Sequence, residues 1–248
     1  MRSRRLKFVV AYDGRDFAGW QSQRHGNTIQ DQLEAAFGKI CGSRVSVIGA
    51  GRTDAGVHAL GQCAHVDLQP GRLSIQRWIA AINGTLPPTI RILGGRFVSP
   101  NFHARFSAKG KVYRYRILNA AIMSPFELGR TWHVAAPLDR ALLKRAAKLF
   151  AGRHDFSNFA ATGGKFTEDT TRTINSLRVI TRGNLIELEF AGSGFLYKMV
   201  RLITGTLVRS ALGKETLDAI NLRLEKPELN AARFVAPAHG LYLVRVKY

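Results

Sequence analysis

The decapeptide Gly49-Ala50-Gly51-Arg52-Thr53-Asp54-Ala55-Gly56-Val57-His58 joins a permissive backbone to one carboxylate and one guanidinium. Glycines at 49, 51 and 56 allow tight turns and close approach of a ligand to the main chain. Three kinds of chemistry could use such a segment. A P-loop needs Gly-Lys-Ser/Thr after its glycines, whereas this chain has Gly-Arg-Thr-Asp at the wrong spacing. A dinucleotide fingerprint needs GxGxxG, but the sixth position is Asp54, whose charge would oppose a pyrophosphate. The third is carboxylate catalysis. Asp54 is the sole acid between Glu34 and Asp67. Arg52, two residues away, is expected to hold it ionised, the state needed by a nucleophile or general base at neutral pH. A turn aspartate that only satisfies nearby backbone N–H groups is the competing reading, and spacing does not separate the two.

Two further segments carry usable chemistry. In Lys111-Val112-Tyr113-Arg114-Tyr115-Arg116-Ile117, period-2 alternation puts Tyr113, Tyr115 and Ile117 on one face and Arg114 and Arg116 on the other. Aromatic rings interleaved with arginines suit RNA, the rings stacking on bases and the guanidinium groups meeting phosphates. An ordinary strand with core tyrosines has the same pattern. In GSGFLYKMVRLITG, Gly192 and Gly194 precede a predicted helix, with Phe195, Met199 and Ile203 on one stripe and Lys198 and Arg201 three apart. A core helix with two exposed cations reads the same way.

These segments need a scaffold. The 248 residues suffice for one large domain or two moderate ones. The spacing predicts a strand over 7–12, then a helix over 29–40 with Thr28 as N-cap and Asp31 three residues on. Strands follow over 45–48, 62–68 and 90–98, with a helix after Ser74. The second half repeats the rhythm: a strand over 111–118, an extended 131–135, and a helix over 138–151 with Leu142, Ala146, Leu149 and Phe150 inward. A hairpin about Arg182-Gly183-Asn184, a helix after Gly194, another over 215–224 and a closing strand complete it. GRDFAGW and GRHDFSNF form a faint echo between the halves.

Lys and Arg number 37 against 17 Asp and Glu, a formal charge of +20, which favours a polyanionic partner such as nucleic acid. Cys41 and Cys63 are isolated, as expected of a reduced cytoplasmic protein, and the scattered histidines predict no metal site. No apolar run approaches the roughly 18 residues of a membrane span, and the basic N-terminus fits a strand better than a signal peptide.

The segments YDGRDFAGWQSQ, TIQDQLEAAF, GAGRTDAGVHALGQ, NFHARFSAKGKVYRYRI, GRHDFSNF, GSGFLYKMVRLITGTL and APAHGLYL closely resemble the TruA-type tRNA pseudouridine synthases in order and spacing. One departure is APAHG, where a second proline is more usual. The resemblance implies that Asp54 is the catalytic aspartate and that Arg52 pairs with it and lines the base-flipping path. It implies that Tyr113 stacks on the target uracil, that Arg201 is a second active-site arginine holding the aspartate, and that Leu241 walls the pocket. The implied fold is α+β, with two related ferredoxin- or RRM-like halves, 1–104 and 105–248, sharing an extended antiparallel sheet with helices on one face and a basic cleft. The first half carries the aspartate loop, and the second carries Tyr113 and Arg201. The implied enzyme is a cytoplasmic homodimer acting on the tRNA anticodon stem-loop at positions 38, 39 and 40.

Uridine becomes pseudouridine by breaking N1–C1′ and rejoining the same uracil through C5. The overall change gains and loses no atom or electron, so no cofactor is expected. Flipping the base out of its stack costs a few kcal/mol, which stacking and hydrogen bonds must offset. The carboxylate could attack C1′, add to C6 or remove the C2′ proton, and the sequence leaves these open. Hydrolysis fits less well, since glycosidases usually employ two carboxylates and the loop has one. A non-catalytic RNA-binding module and a nucleic-acid N-glycosylase are the alternative readings.

Overall fold

The structure, a computed structural model, describes residues 4–24, 26–69, 73–161, 169–226 and 234–248. The chain is α+β, its strands mostly antiparallel, and it divides into two compact units. The first comprises Met1–Lys109 with Tyr242–Tyr248, and the second Gly110–Leu241.

In the first unit, β1 (Arg4–Tyr12) lies antiparallel between β3 (His58–Leu68) and β4 (Ile90–Val98), and β2 (Val47–Gly49) pairs with β3. β1 is a strand because its residues alternate: Leu6, Phe8, Val10 and Tyr12 are buried. The last strand of the chain, β10 (Leu241–Lys247), runs parallel to β3, Tyr242 opposite His58. Helix α1 (Ile29–Cys41) starts where expected, since Thr28 and Asp31 form a full capping box, and Gly42 ends it in a left-handed conformation. It buries Ile29, Leu33, Ala36 and Phe37, and Phe37 meets Phe8 of β1 at 5.4 Å between rings. Helix α2 (Ile75–Thr85), capped by Ser74, adds Trp78 and Ile82.

His65 of β3 is buried at 2% exposure and accepts a hydrogen bond at Nδ1 from the Ala104 N–H. Burial, helped by the charges of Arg5 and His103, lowers its pKa to about 4. The unfolded chain therefore takes up a proton between about pH 6.5 and 4 that the folded chain refuses. Stability should fall as pH drops through that window and level off below it. In melts from pH 7 to 4, His65→Asn, whose Oδ1 can replace Nδ1, should lose less stability than wild type.

In the second unit the sheet order is β5 (Gly110–Leu118), β9 (Leu185–Gly192), β8 (Thr171–Arg182), β7 (Gly152–Asp155), all antiparallel, with β6 (Trp132–His133) parallel to β5. The β8–β9 hairpin turns at Gly183, φ +57°, as the sequence suggests. Helix α3 (Arg140–Leu149) begins after Asp139, whose carboxylate accepts from the N–H groups of Ala141 and Leu142. Its inward stripe is Leu143, Ala146 and Ala147 with Phe150, not Leu142 and Leu149, which are half-buried at its flanks. The two alanines let α3 pack closely on α4 (Met199–Ala211), so the stripe centres on them. Helix α5 (Leu217–Glu225) is capped by Thr216.

The region after Gly194 departs from expectation. It enters α4 only at Met199, because Lys198 at the N-cap adopts φ +56°, ψ 7°. Phe195 therefore lies before the helix, outside the Met199–Ile203 stripe, and Lys198 and Arg201 are not neighbours on one helical face. From Met199 to Val208 every residue of α4 except Arg201 is buried.

Candidate active site

The loop that carries Asp54 is held by the loop before α1. Trp20 N–H donates to Thr53 O at 3.0 Å, and the buried hydroxyls of Tyr12 and Thr53 meet at 2.9 Å. Gly56 N–H reaches Phe17 O, and Ala50 N–H donates to Cys63 O on β3. Gln62 Nε2 donates to Gly51 O at 2.8 Å. Asp54 itself opens a turn, its carbonyl accepting from Val57 N–H at 3.1 Å with Gly56 at φ +76°.

The glycines explain this packing. A Cβ on Gly14 would sit 2.0 Å from Val57 O, one on Gly19 2.6 Å from Thr53 O, and one on Gly49 2.5 Å from the Trp20 ring. Gly49 is thus used by a neighbouring side chain rather than by a phosphate. Thr53 is buried, Asp54 half-buried and Arg52 exposed. The Arg52 guanidinium is directed by Gln21, its Nε donating to Gln21 Oε1 at 3.1 Å. At the far end of the loop His58 is buried and stacks on Tyr242 at 4.5 Å, with Asp13 3.2 Å from its Nδ1. The Arg15 guanidinium and the charge of His58 hold the Asp13 carboxyl below its ordinary range, against the opposing effect of burial.

The second unit places the other predicted residues. Tyr113 on β5 is buried at 8% exposure, and Phe195 meets it edge-on at 5.1 Å. Gly192 leaves room for Phe195, since a Cβ there would stand 3.1 Å from its ring. Arg201 is half-buried and clasps the turn before β10. Its Nε donates to Ala236 O at 2.7 Å, and its carbonyl accepts from Ala236 N–H. The same turn is fixed by Tyr115, whose hydroxyl donates to Pro237 O and whose ring lies where a Gly240 side chain would be. Burial pushes the Tyr115 phenol well up. Leu241, next along, is buried.

Arg114 and Arg116 do not form the phosphate-facing pair that alternation suggests. They face Glu189 and Glu187 across the β5–β9 register, Arg114 reaching Glu189 at 3.1 Å and Arg116 reaching Glu127 at 3.2 Å. Arg178 closes on the other side of Glu189. These cations are paired with acids of the chain, and Arg178 and Arg114 hold the Glu189 carboxyl below its usual range against its burial.

Sequence reasoning did not single out Gln21, Tyr12, Trp20 or Ala236, and it read Phe195 only as part of a helical stripe. A signal existed for the first, because Gln30 and Glu34 stand one helical turn apart behind it. Among the described residues no group of three or more His, Cys, Asp and Glu side chains could hold a metal ion. No described helix is long and apolar enough to cross a membrane.

Comparison with known proteins places the chain in a family. The family model described as tRNA pseudouridine synthase matches residues 8–107 and 146–248. A tRNA pseudouridine synthase A of Akkermansia muciniphila is 45% identical, over 98% of this chain and 95% of that protein. One of Acetivibrio thermocellus is 42% identical over 99% and 100%, and one of Rhodospirillum rubrum 41% over 98% and 87%. The family-model match takes in the aspartate loop and the Arg201 helix, the relatives align over nearly the whole chain, and the chain belongs to the tRNA pseudouridine synthase family.

Proposed function

We propose that the chain is an isomerase that converts uridine to pseudouridine at positions 38, 39 and 40 of the tRNA anticodon stem-loop, acting as a cytoplasmic homodimer without a cofactor. The observation that carries the chemical part of this reading is the presentation of Asp54. It is half-buried in a turn whose backbone is bonded on both sides, next to a buried threonine. A carboxylate so fixed reacts without first being ordered. Asp54 acts on the extruded nucleoside as nucleophile or base, with Arg52 and Arg201 as the guanidinium groups that hold the carboxylate and the flipped nucleotide. Tyr113, braced by Phe195, offers a ring to the uracil, and Leu241 forms apolar wall. The chain's +20 charge supplies affinity for phosphates, so binding weakens steeply with salt.

The test is to incubate unmodified tRNA with the protein and map pseudouridine chemically. Product at 38, 39 and 40 supports the reading. Abasic sites or released uracil would make the protein a glycosylase, and binding without product would make it an RNA-binding module. Tyr113→Ala should lower turnover at least about 100-fold while tRNA Kd changes by less than about threefold, because phosphates carry the affinity. Equal losses in both would remove Tyr113 from the stacking role.

A further inference from the structure

Arg52 is the most exposed charged group of the aspartate loop, yet its acceptor, Gln21, is prepared by two residues outside that loop. Glu34 of α1 can only accept hydrogen bonds. Its Oε1 receives Gln30 Nε2 at 2.9 Å and the Val47 N–H of β2 at 2.9 Å. With its NH2 so committed, Gln30 presents Oε1, which receives Gln21 Nε2 at 2.7 Å and the Ser22 N–H at 3.0 Å. Gln21 must then present its own Oε1, and Arg52 Nε donates to it at 3.1 Å. An amide side chain can turn either end outward. Here an acceptor-only carboxylate at one end and a donor-only guanidinium at the other demand the same orientation of both amides.

We propose that Gln21 is the positioning residue for Arg52, and that Gln30 and Glu34 fix which end of the Gln21 amide meets the guanidinium. The bond engages Nε, so it steers the group while sparing the fork of terminal N–H donors that suits carboxylates and phosphates. Gln30 and Glu34 lie one turn apart on α1, which makes a rigid helix the base of the array. Its effect on turnover rests on the proposed function, but the array itself does not.

The experiment therefore has two readouts on the full chain. In 15N-labelled protein the Arg52 Nε–H resonance, assigned by its loss in Arg52→Lys, should be visible at pH 7 and protected from exchange with water. Gln21→Ala and Gln30→Ala should each shift or broaden it, with the melting midpoint unchanged. In single turnover with excess enzyme, both variants should lose about tenfold in rate with tRNA Kd within about twofold, as misplacement of an oriented group does. In the Arg52→Lys background the Gln21→Ala loss should vanish. An Arg52 resonance unaltered in Gln21→Ala would overturn the proposal, and so would an undiminished Gln21→Ala loss in the Arg52→Lys background. A wild-type protein that makes no pseudouridine would refute the functional reading, while the resonance would still decide whether Gln21 positions Arg52.

Discussion

Asp54→Asn is expected to lower the single-turnover rate of pseudouridine formation by at least about 1,000-fold while tRNA affinity stays within about threefold. Asparagine has the shape of aspartate but cannot attack carbon or take a proton at neutral pH. The loop should survive the change, because its fixing bonds use the backbone of Asp54 and the groups beside it: Val57 N–H to Asp54 O, Trp20 N–H to Thr53 O, and the Tyr12–Thr53 hydroxyl pair. Affinity should survive because removing one negative charge from a chain at +20 does not weaken its attraction for phosphate. Filter binding at fixed salt and chemical mapping on the same samples check both halves. Product formation at an undiminished rate would remove Asp54 from the chemistry. A simultaneous fall in melting midpoint and affinity would show that the carboxylate serves the fold.

Gly19→Ala should destabilise the protein by about 2–4 kcal/mol, a fall in melting temperature of roughly 5–15 °C. Two penalties combine. The backbone at Gly19 has φ +92°, which an L side chain adopts only with strain. The added methyl would also stand 2.6 Å from Thr53 O and 3.0 Å from the Asp54 carbonyl carbon. Both are main-chain atoms, so no rotamer change relieves the clash, and the two loops must part. Gly19 O also accepts from Ile29 N–H at the start of α1, so that contact shifts as well. Gly26→Ala is the control. Its φ is +67° but nothing lies within 4 Å of the new methyl, so only the conformational strain of about 1 kcal/mol remains. Urea unfolding of the two variants separates clash from strain, and equal losses would refute the role given to Gly19 in loop packing.

Much of the scaffold is readable residue by residue. Thr28 and Asp31 announce α1, Ser74 announces α2, and the extended reading of Ile90–Val98 gives β4 to its last residue. What local pattern cannot carry is partnership over distance. Arg114 and Arg116 read as cations available to RNA until the register sets Glu189 and Glu187 opposite them. The period-2 spacing of those acids in LIELEF was the available clue. The start of α4 was misplaced because Lys198 takes a left-handed conformation that its residue type does not advertise. In the candidate site the glycine at 56 is correctly read as conformational, but Gly49 serves to accommodate the Trp20 ring, which lies 29 positions earlier.

The parallel pairing of Tyr242 and Leu243 with His58 and Ala59 has a consequence for biogenesis. The first unit is completed by residues that leave the ribosome only after all of Gly110–Leu241 has been translated. Until then that edge of β3 is an unpaired ladder beside the aspartate loop, a surface on which nascent chains associate wrongly. Vectorial folding therefore cannot finish the N-terminal unit first. A stop codon before Tyr242 would leave not a shortened second unit but an open first one.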